Sequence, residues 1–168
     1  MVPSRTYLCN VTTTAVGPDR SGTHSYPEGP IMFETAGADL VFLAARVLFG
    51  SVLAFTGLNH FRNVEGMAGY AEFKGLPAPT LSVLGSGGLL VFGGLSVVVG
   101  VVPTLGAGAL ALFLLVSGIT MHDFWNMEGE EAQNEMTSFL KNVFGAGGAL
   151  AFLALAGATW PYALNVGI

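Results

Sequence analysis

The residues of this protein that could transfer protons or bind a ligand lie at the borders of its apolar stretches. One group is His60-Phe61-Arg62, and the second is Met121-His122-Asp123-Phe124-Trp125, followed further on by Phe139-Leu140-Lys141-Asn142. Imidazole changes its charge near neutral pH, so a histidine there can load and release a proton. We therefore predict a polar pocket built from these candidate binding residues: His60, Arg62, His122, Asp123, Lys141 and Asn142.

Such a pocket would suit a quinone-like or sulfur-containing ligand that exchanges protons with an imidazole and a carboxylate. Asp123 points away from His122 on a helix, so we expect Lys141 or Arg62 as its partner. Two histidines could also ligate a haem iron, but haem fits less well because membrane haem ligands usually lie deeper than the last helical turn. In the plainer alternative, the cations only reach the headgroups, and His and Asp cap helices.

The composition is that of a membrane protein. Of 168 residues, 52% are hydrophobic and 10% are charged, and the mean hydropathy is +0.63. A net charge of −5 with two lysines makes nucleic acid an unsuitable partner, because phosphate binding needs a basic face. The single cysteine, Cys9, supplies no thiolate cluster, and no metal site is predicted.

The charges are clustered, which leaves four nearly charge-free windows of about the 17–25 residues that cross a bilayer. We predict an all-α, polytopic fold, a four-transmembrane-helix bundle, with spans at residues 40–58, 81–102, 105–121 and 139–158. Residues 1–38 are polar and proline-rich and are expected to be a disordered extension, with Met32 as an alternative start. Residues 39–160 form the membrane domain, and residues 161–168 form a short tail.

Small residues line one face of the first, third and fourth spans, and the second span is rich in glycine throughout. In the first span, the helical spacing places Arg46, Gly50, Leu53, Gly57 and His60 together. The third span groups Ala111, Leu115, Gly118 and His122, and the fourth groups Lys141, Gly145, Gly148 and Phe152. Such faces allow close helix packing.

Successive spans cross the membrane in opposite directions. The end of the first span, the end of the third and the start of the fourth therefore lie at one membrane surface, where the polar pocket is expected. The positive-inside count leans towards the cytoplasm for this surface, and the orientation stays open. The acidic run between the third and fourth spans is expected to be a solvated loop, and the segment at residues 59–80 either a short interfacial helix or a loop. Trp125, Trp160 and Tyr162 are expected at the interfaces.

Arg46 is the one charge well inside an apolar window. We expect it to pair with Asp39 or to reach the headgroups, and binding of an anionic substrate is the alternative.

These features together resemble the DoxX family. The resemblance rests on the internal Arg46, the run Gly57-Leu58-Asn59-His60-Phe61, the Gly-Leu-Pro break before a glycine-rich span, and above all the motif around His122 and Lys141. It implies a four-helix integral membrane protein and a link to quinone-dependent redox systems. Members often carry a glutamate in the second span, where this chain has Ser82 and Ser86.

The resemblance implies an accessory subunit of a quinone-linked oxidoreductase in the cell membrane, in contact with lipid and with other redox subunits. A non-enzymatic scaffold or assembly protein is the second interpretation, because the chain has no cysteine pair or nucleotide-binding loop. A small-solute transporter is the third, although four short spans enclose little volume unless the protein forms a homo-oligomer.

Overall fold

Residues 35–167 fold into five α-helices. A computed structural model describes residues 35–167, so the predictions for residues 1–34 lie outside the described residues. The helices are α1 (Ala38–Arg62), α2 (Val64–Phe73), α3 (Pro79–Val99), α4 (Pro103–Met121) and α5 (Gly129–Ala154), with a 3₁₀ turn at Phe124–Asn126. Within this part of the chain there is no strand, only an isolated bridge between Val101 and Val166. The predicted all-α class is confirmed.

Three of the helical segments are long and apolar enough to cross a membrane. They are Ala38–Arg62, Pro79–Val99, and α4 continued through the 3₁₀ turn as Pro103–Asn126, each containing an 18-residue stretch with a mean hydropathy of 1.9. They correspond to the first three predicted spans. Helix α5 has 26 residues, with acidic residues in its first turn, and is not among the three, so the fourth predicted span is not confirmed.

Glycine lets α1 and α3 approach each other closely. Gly50 lies against Gly94, and a Cβ atom placed on Gly57 would stand 2.6 Å from the carbonyl oxygen of Gly87. Arg46 is buried on the same face of α1, as the helical spacing predicts. Small residues therefore turn this face into a contact between helices rather than a wall left open for a ligand.

Helix α4 packs against α5 through a similar contact. Gly118 lies against Asn142, and Gly145 lies against Leu114. The predicted face of α4 is partly wrong: Leu115 is 40% exposed, whereas Leu114 is buried. The buried face of α4 keeps Ala111 and Gly118 and includes Leu114 instead of Leu115, because α5 contacts the helix at Leu114.

The connection between α1 and α3 contains the short helix α2, as one of the two alternatives for residues 59–80 predicts, while its position at the membrane interface stays a prediction. Helix α2 ends before Gly75, whose φ of 76° favours glycine, and α3 starts at Pro79. The expected solvated loop before the fourth span is wrong in its second part. Helix α5 already begins at Gly129, which places Glu130, Glu131 and Glu135 on a helix.

The end of the chain folds back on the turn between α3 and α4. The amide groups of Leu164 and Val166 donate hydrogen bonds to the carbonyl oxygens of Val99 (2.9 Å) and Gly100 (3.2 Å). Trp160 is only 1% exposed and packs against Phe42, so its predicted interfacial position is wrong. Tyr162, by contrast, is 66% exposed.

Candidate functional site

A cavity of about 610 Å³ lies between α2, α3 and α4, next to the end of α1. Most of its walls are apolar, with a few polar groups among them. The two predicted histidines both line it, together with Tyr70 of α2. The polar groups that complete the lining come from four residues: Ser82, Ser86, Ser117 and Thr120. Apolar walls with a few placed polar groups are typical of a site for a small, largely apolar molecule.

His60 is held by α3. Its Nδ1 lies 2.9 Å from the Ser86 hydroxyl and 3.3 Å from the carbonyl oxygen of Val83, to which Ser86 itself donates a hydrogen bond. A carbonyl oxygen can only accept, and the one Ser86 hydrogen is already used. The hydrogen-bond pattern therefore assigns the ring proton of His60 to Nδ1.

His122 is held by α5. Its Nδ1 lies 2.7 Å from a carboxylate oxygen of Glu135, and the other oxygen lies 3.0 Å from the Tyr70 hydroxyl. The same hydroxyl also lies 3.2 Å from the carbonyl oxygen of Met121. One carboxylate thus joins α2, α4 and α5 behind the cavity.

Glu135 is ionised at neutral pH. Partial burial by itself would raise its pKa, but the hydrogen bonds from His122 and Tyr70 outweigh that and lower the pKa below its ordinary value of 4.5. Burial and the same hydrogen bond raise the pKa of the Tyr70 phenol. Tyr70 therefore remains a neutral donor beside the carboxylate.

An ion pair joins Lys74, at the end of α2, to Asp123, just after α4. The expected partners of Asp123, Lys141 and Arg62, are both exposed and form no ion pair in the described residues, so that pairing is wrong. Burial by itself would lower the pKa of Lys74, but the hydrogen bond to Asp123 and the Tyr70 phenol raise it. The ammonium group also lies 5.5 Å from the centre of the Tyr70 ring.

The model of the DoxX family matches residues 41–123. This match identifies residues 41–123 as a DoxX segment. No curated protein and no solved structure matches the chain.

The DoxX segment contains every residue that lines the cavity, from His60 to His122. Glu135 lies beyond the matched residues, on α5. The motif Phe139-Leu140-Lys141-Asn142, on which part of the resemblance rests, also lies beyond them. The residues shared with the DoxX family thus form the walls of the cavity, and α5 adds the carboxylate behind one wall.

Of the six predicted pocket residues, only the two histidines reach the cavity. Asp123 lies beside it in the pair with Lys74, while Arg62 and Lys141 point to the surface. Asn142 donates to the carbonyl oxygen of Ser138 (3.1 Å) and packs on Gly118, so it serves the contact between α4 and α5.

Arg46 lies away from the cavity and is 0% exposed. Its guanidinium donates to the carbonyl oxygens of Pro161 (2.8 Å), Val98 (3.0 Å) and Tyr162 (3.1 Å). The described residues show no ion pair between Arg46 and Asp39, and complete burial keeps Arg46 from the headgroups. These hydrogen bonds hold the segment after α5 against α1 and α3.

The sequence interpretation missed four residues of the site: Tyr70, Lys74, Ser86 and Glu135. A signal existed for Glu135, which precedes Phe139 and Asn142 by four and seven positions, as on one helical face. For Lys74 there was none, because its partner lies 49 positions away and depends on how α2 folds back.

Proposed function

We propose that this protein binds a quinone-type ligand in the cavity and acts as an accessory subunit of a quinone-linked redox system of the cell membrane. The observation that carries the proposal is the pair of histidines in the apolar cavity of about 610 Å³. In each ring the hydrogen bonds found in the described residues are made by Nδ1, which leaves Nε2 for a ligand. A ring of the quinone type carries an oxygen at each end of a flat apolar body, and in its reduced form each oxygen can donate a hydrogen bond, which such a lining complements.

We also propose that α5 is the fourth membrane span. Its acidic residues lie in the first half, and no charged residue follows Lys141 up to the end of the helix at Ala154. In the second half of α5 the outward-facing side chains are apolar, with Phe144 86% exposed and Leu150 48% exposed. An apolar surface of this kind is expected where lipid replaces water, and Lys141 can reach the headgroups from its border.

The binding proposal is tested with the purified full chain in detergent and 2-decyl-1,4-hydroquinone, the reduced form, as the probe, because its hydroxyl groups can donate to the two histidines. We expect saturable binding by calorimetry, weakened about tenfold or more in a His60→Phe, His122→Phe double variant because two ligand hydrogen bonds are lost. Lys141→Ala, outside the cavity, is the matched control and should bind as the wild type does. Absence of saturable binding in the wild type would reject the proposal.

The redox role has its own test in membranes. Deletion of the gene should lower the rate of quinone reduction, and affinity purification from solubilised membranes should return redox subunits with the protein. An unchanged rate, together with a stable partner that carries no redox centre, would favour the scaffold interpretation instead.

A further inference from the structure

The two histidines of the cavity differ in the hydrogen-bond partners of their Nδ1 atoms, which lie on the side of the ring away from Nε2. Behind His60 are a hydroxyl and a backbone carbonyl, and both are neutral. Behind His122 is the carboxylate of Glu135, which is ionised at neutral pH. A neutral partner fixes the tautomer of an imidazole, whereas a carboxylate also stabilises the positive charge that the ring gains when it takes up a proton.

With a proton on Nδ1 of each neutral ring, both Nε2 atoms are hydrogen-bond acceptors. In the described residues neither Nε2 has a partner, and neither is fully enclosed, so both are open to a ligand. A cavity that offers two acceptors is complementary to a molecule with hydroxyl donors. A molecule with carbonyl oxygens alone would face these nitrogens acceptor to acceptor.

We propose that Glu135 makes His122 the proton acceptor of the cavity, and that the site selects the diphenol form of its apolar ligand over the quinone form. The inference rests on the proposed function, since it concerns the same cavity. Glu135 is a positioning residue that acts through His122, and His60 holds the second hydroxyl without taking its proton. Tyr70, which donates to the same carboxylate, keeps it aimed at the ring.

The step is a proton transfer with no change of oxidation state. The O–H bond of one ligand hydroxyl breaks, an N–H bond forms at Nε2 of His122, and the electron pair stays on the ligand oxygen. The product is a bound phenolate beside an imidazolium whose other nitrogen donates to Glu135. The other charged groups at this wall, Lys74 and Asp123, already compensate each other.

Selectivity is tested with three ligands of one shape in the purified full chain: 2-decyl-1,4-hydroquinone, 2-decyl-1,4-benzoquinone and 2-decyl-1,4-dimethoxybenzene. The hydroquinone should bind about tenfold more tightly than the other two, because only it donates hydrogen bonds. Equal binding of all three would overturn the inference while leaving a lipophilic site. Binding of none would reject the proposed function and this inference with it.

The role of Glu135 is tested with 2-decyl-4-nitrophenol, whose phenolate has its own absorption band in visible light. Bound to the wild type, the probe should show the phenolate band, and Glu135→Gln should remove most of it while the probe still binds. Glu135→Asp should restore part of the band, and Glu131→Gln, on an exposed residue of the same helix, should leave it unchanged. A full phenolate band in Glu135→Gln, with a melting temperature like that of the wild type, would overturn the inference.

Discussion

Arg46 is a charged side chain whose hydrogen-bond partners are backbone atoms. Three carbonyl oxygens, from the end of α3 and from the segment after α5, accept its guanidinium hydrogens, and the rings of Phe42 and Trp160 stand 5.6 and 5.4 Å from it. A planar guanidinium can donate to several acceptors at fixed angles, which a lysine ammonium cannot reproduce. Arg46 is therefore a structural residue that holds three parts of the chain together.

Replacement of Arg46 by Met should destabilise the protein by about 3 kcal/mol or more, because a fully buried side chain loses its three hydrogen bonds to partly buried carbonyl oxygens. Arg46→Lys should recover only part of this loss. Arg62→Met, on an exposed residue near the other end of α1, is the matched control and should change the stability by less than about 0.5 kcal/mol. Thermal unfolding in detergent measures all three variants, and equal stability of Arg46→Met and the wild type would contradict this role.

At the scale of the helices, the contact between α1 and α3 depends on glycine. A Cβ atom at position 57 would stand 2.6 Å from the Gly87 carbonyl oxygen and 2.9 Å from the Leu90 side chain, and a carbonyl oxygen of a neighbouring helix cannot yield easily. Gly57→Ala should therefore cost about 1–3 kcal/mol of stability through overpacking.

Gly85, on α3, is the control for this substitution, because a Cβ atom there would meet nothing within 4 Å. Gly85→Ala should be neutral or should stabilise the helix by up to about 1 kcal/mol. Unfolding of both variants in the same detergent separates the two effects. A loss in Gly85→Ala as large as that in Gly57→Ala would mean that helix packing does not explain it.

Helix α2 is fastened by polar contacts at one wall of the cavity, so its attachment should depend on pH. The pKa of Glu135 is lowered from 4.5, so its contribution is present above pH 4.5 and is lost as the pH falls through the lower value. The pKa of Lys74 is raised from 10.5, so its contribution is present below pH 10.5 and is lost as the pH rises through the higher value. The attachment should be strongest between these limits.

Hydrogen exchange of the α2 amides tests the acidic limit. At pH 7 the wild type should be better protected than Glu135→Gln, which imitates the protonated side chain, by less than about 1 kcal/mol because the site is partly exposed. The difference should shrink as the pH is lowered stepwise below 4.5, because the wild type becomes protonated as well. The amides of α3 serve as the internal control, and a difference that persists at the acidic pH would contradict this account.

How far the sequence predicts these elements depends on the range of the interactions. The buried face of α1 follows from local helical spacing, and both Arg46 and Gly57 lie on it as predicted. The start of α5 does not follow, because its first two turns are polar on most sides and show no apolar period. The burial of Trp160 does not follow either, because the composition near the end of a span does not tell whether an aromatic ring faces lipid headgroups or a buried arginine.

The same limit applies to the site. Both histidines could be identified because each ends an apolar helix, and the parity of the helices brings those ends together. Their partners could not be identified, because the distance and rotation between packed helices determine that Ser86 and Glu135 contact them. Sequence spacing within one helix carries no information about either quantity.

At the scale of the whole molecule, the number of membrane crossings decides where the two ends of α5 lie. If α5 spans the membrane, Glu130 at its start and Leu164 after its end lie on opposite sides. Both side chains are exposed, with Leu164 at 68%, so a cysteine at either position can be labelled. If α5 instead lies along the surface, both positions face the same side.

Single cysteines at positions 130 and 164, each in a chain with Cys9→Ser, therefore count the crossings. With a membrane-impermeant maleimide on intact cells, one of the two should be labelled and the other should react only after permeabilisation. The labelled one also gives the orientation: protection of position 130 places the cavity surface in the cytoplasm, because α5 starts at the surface where His122 and Glu135 meet. Labelling of both positions in intact cells, or of neither, would contradict the fourth span.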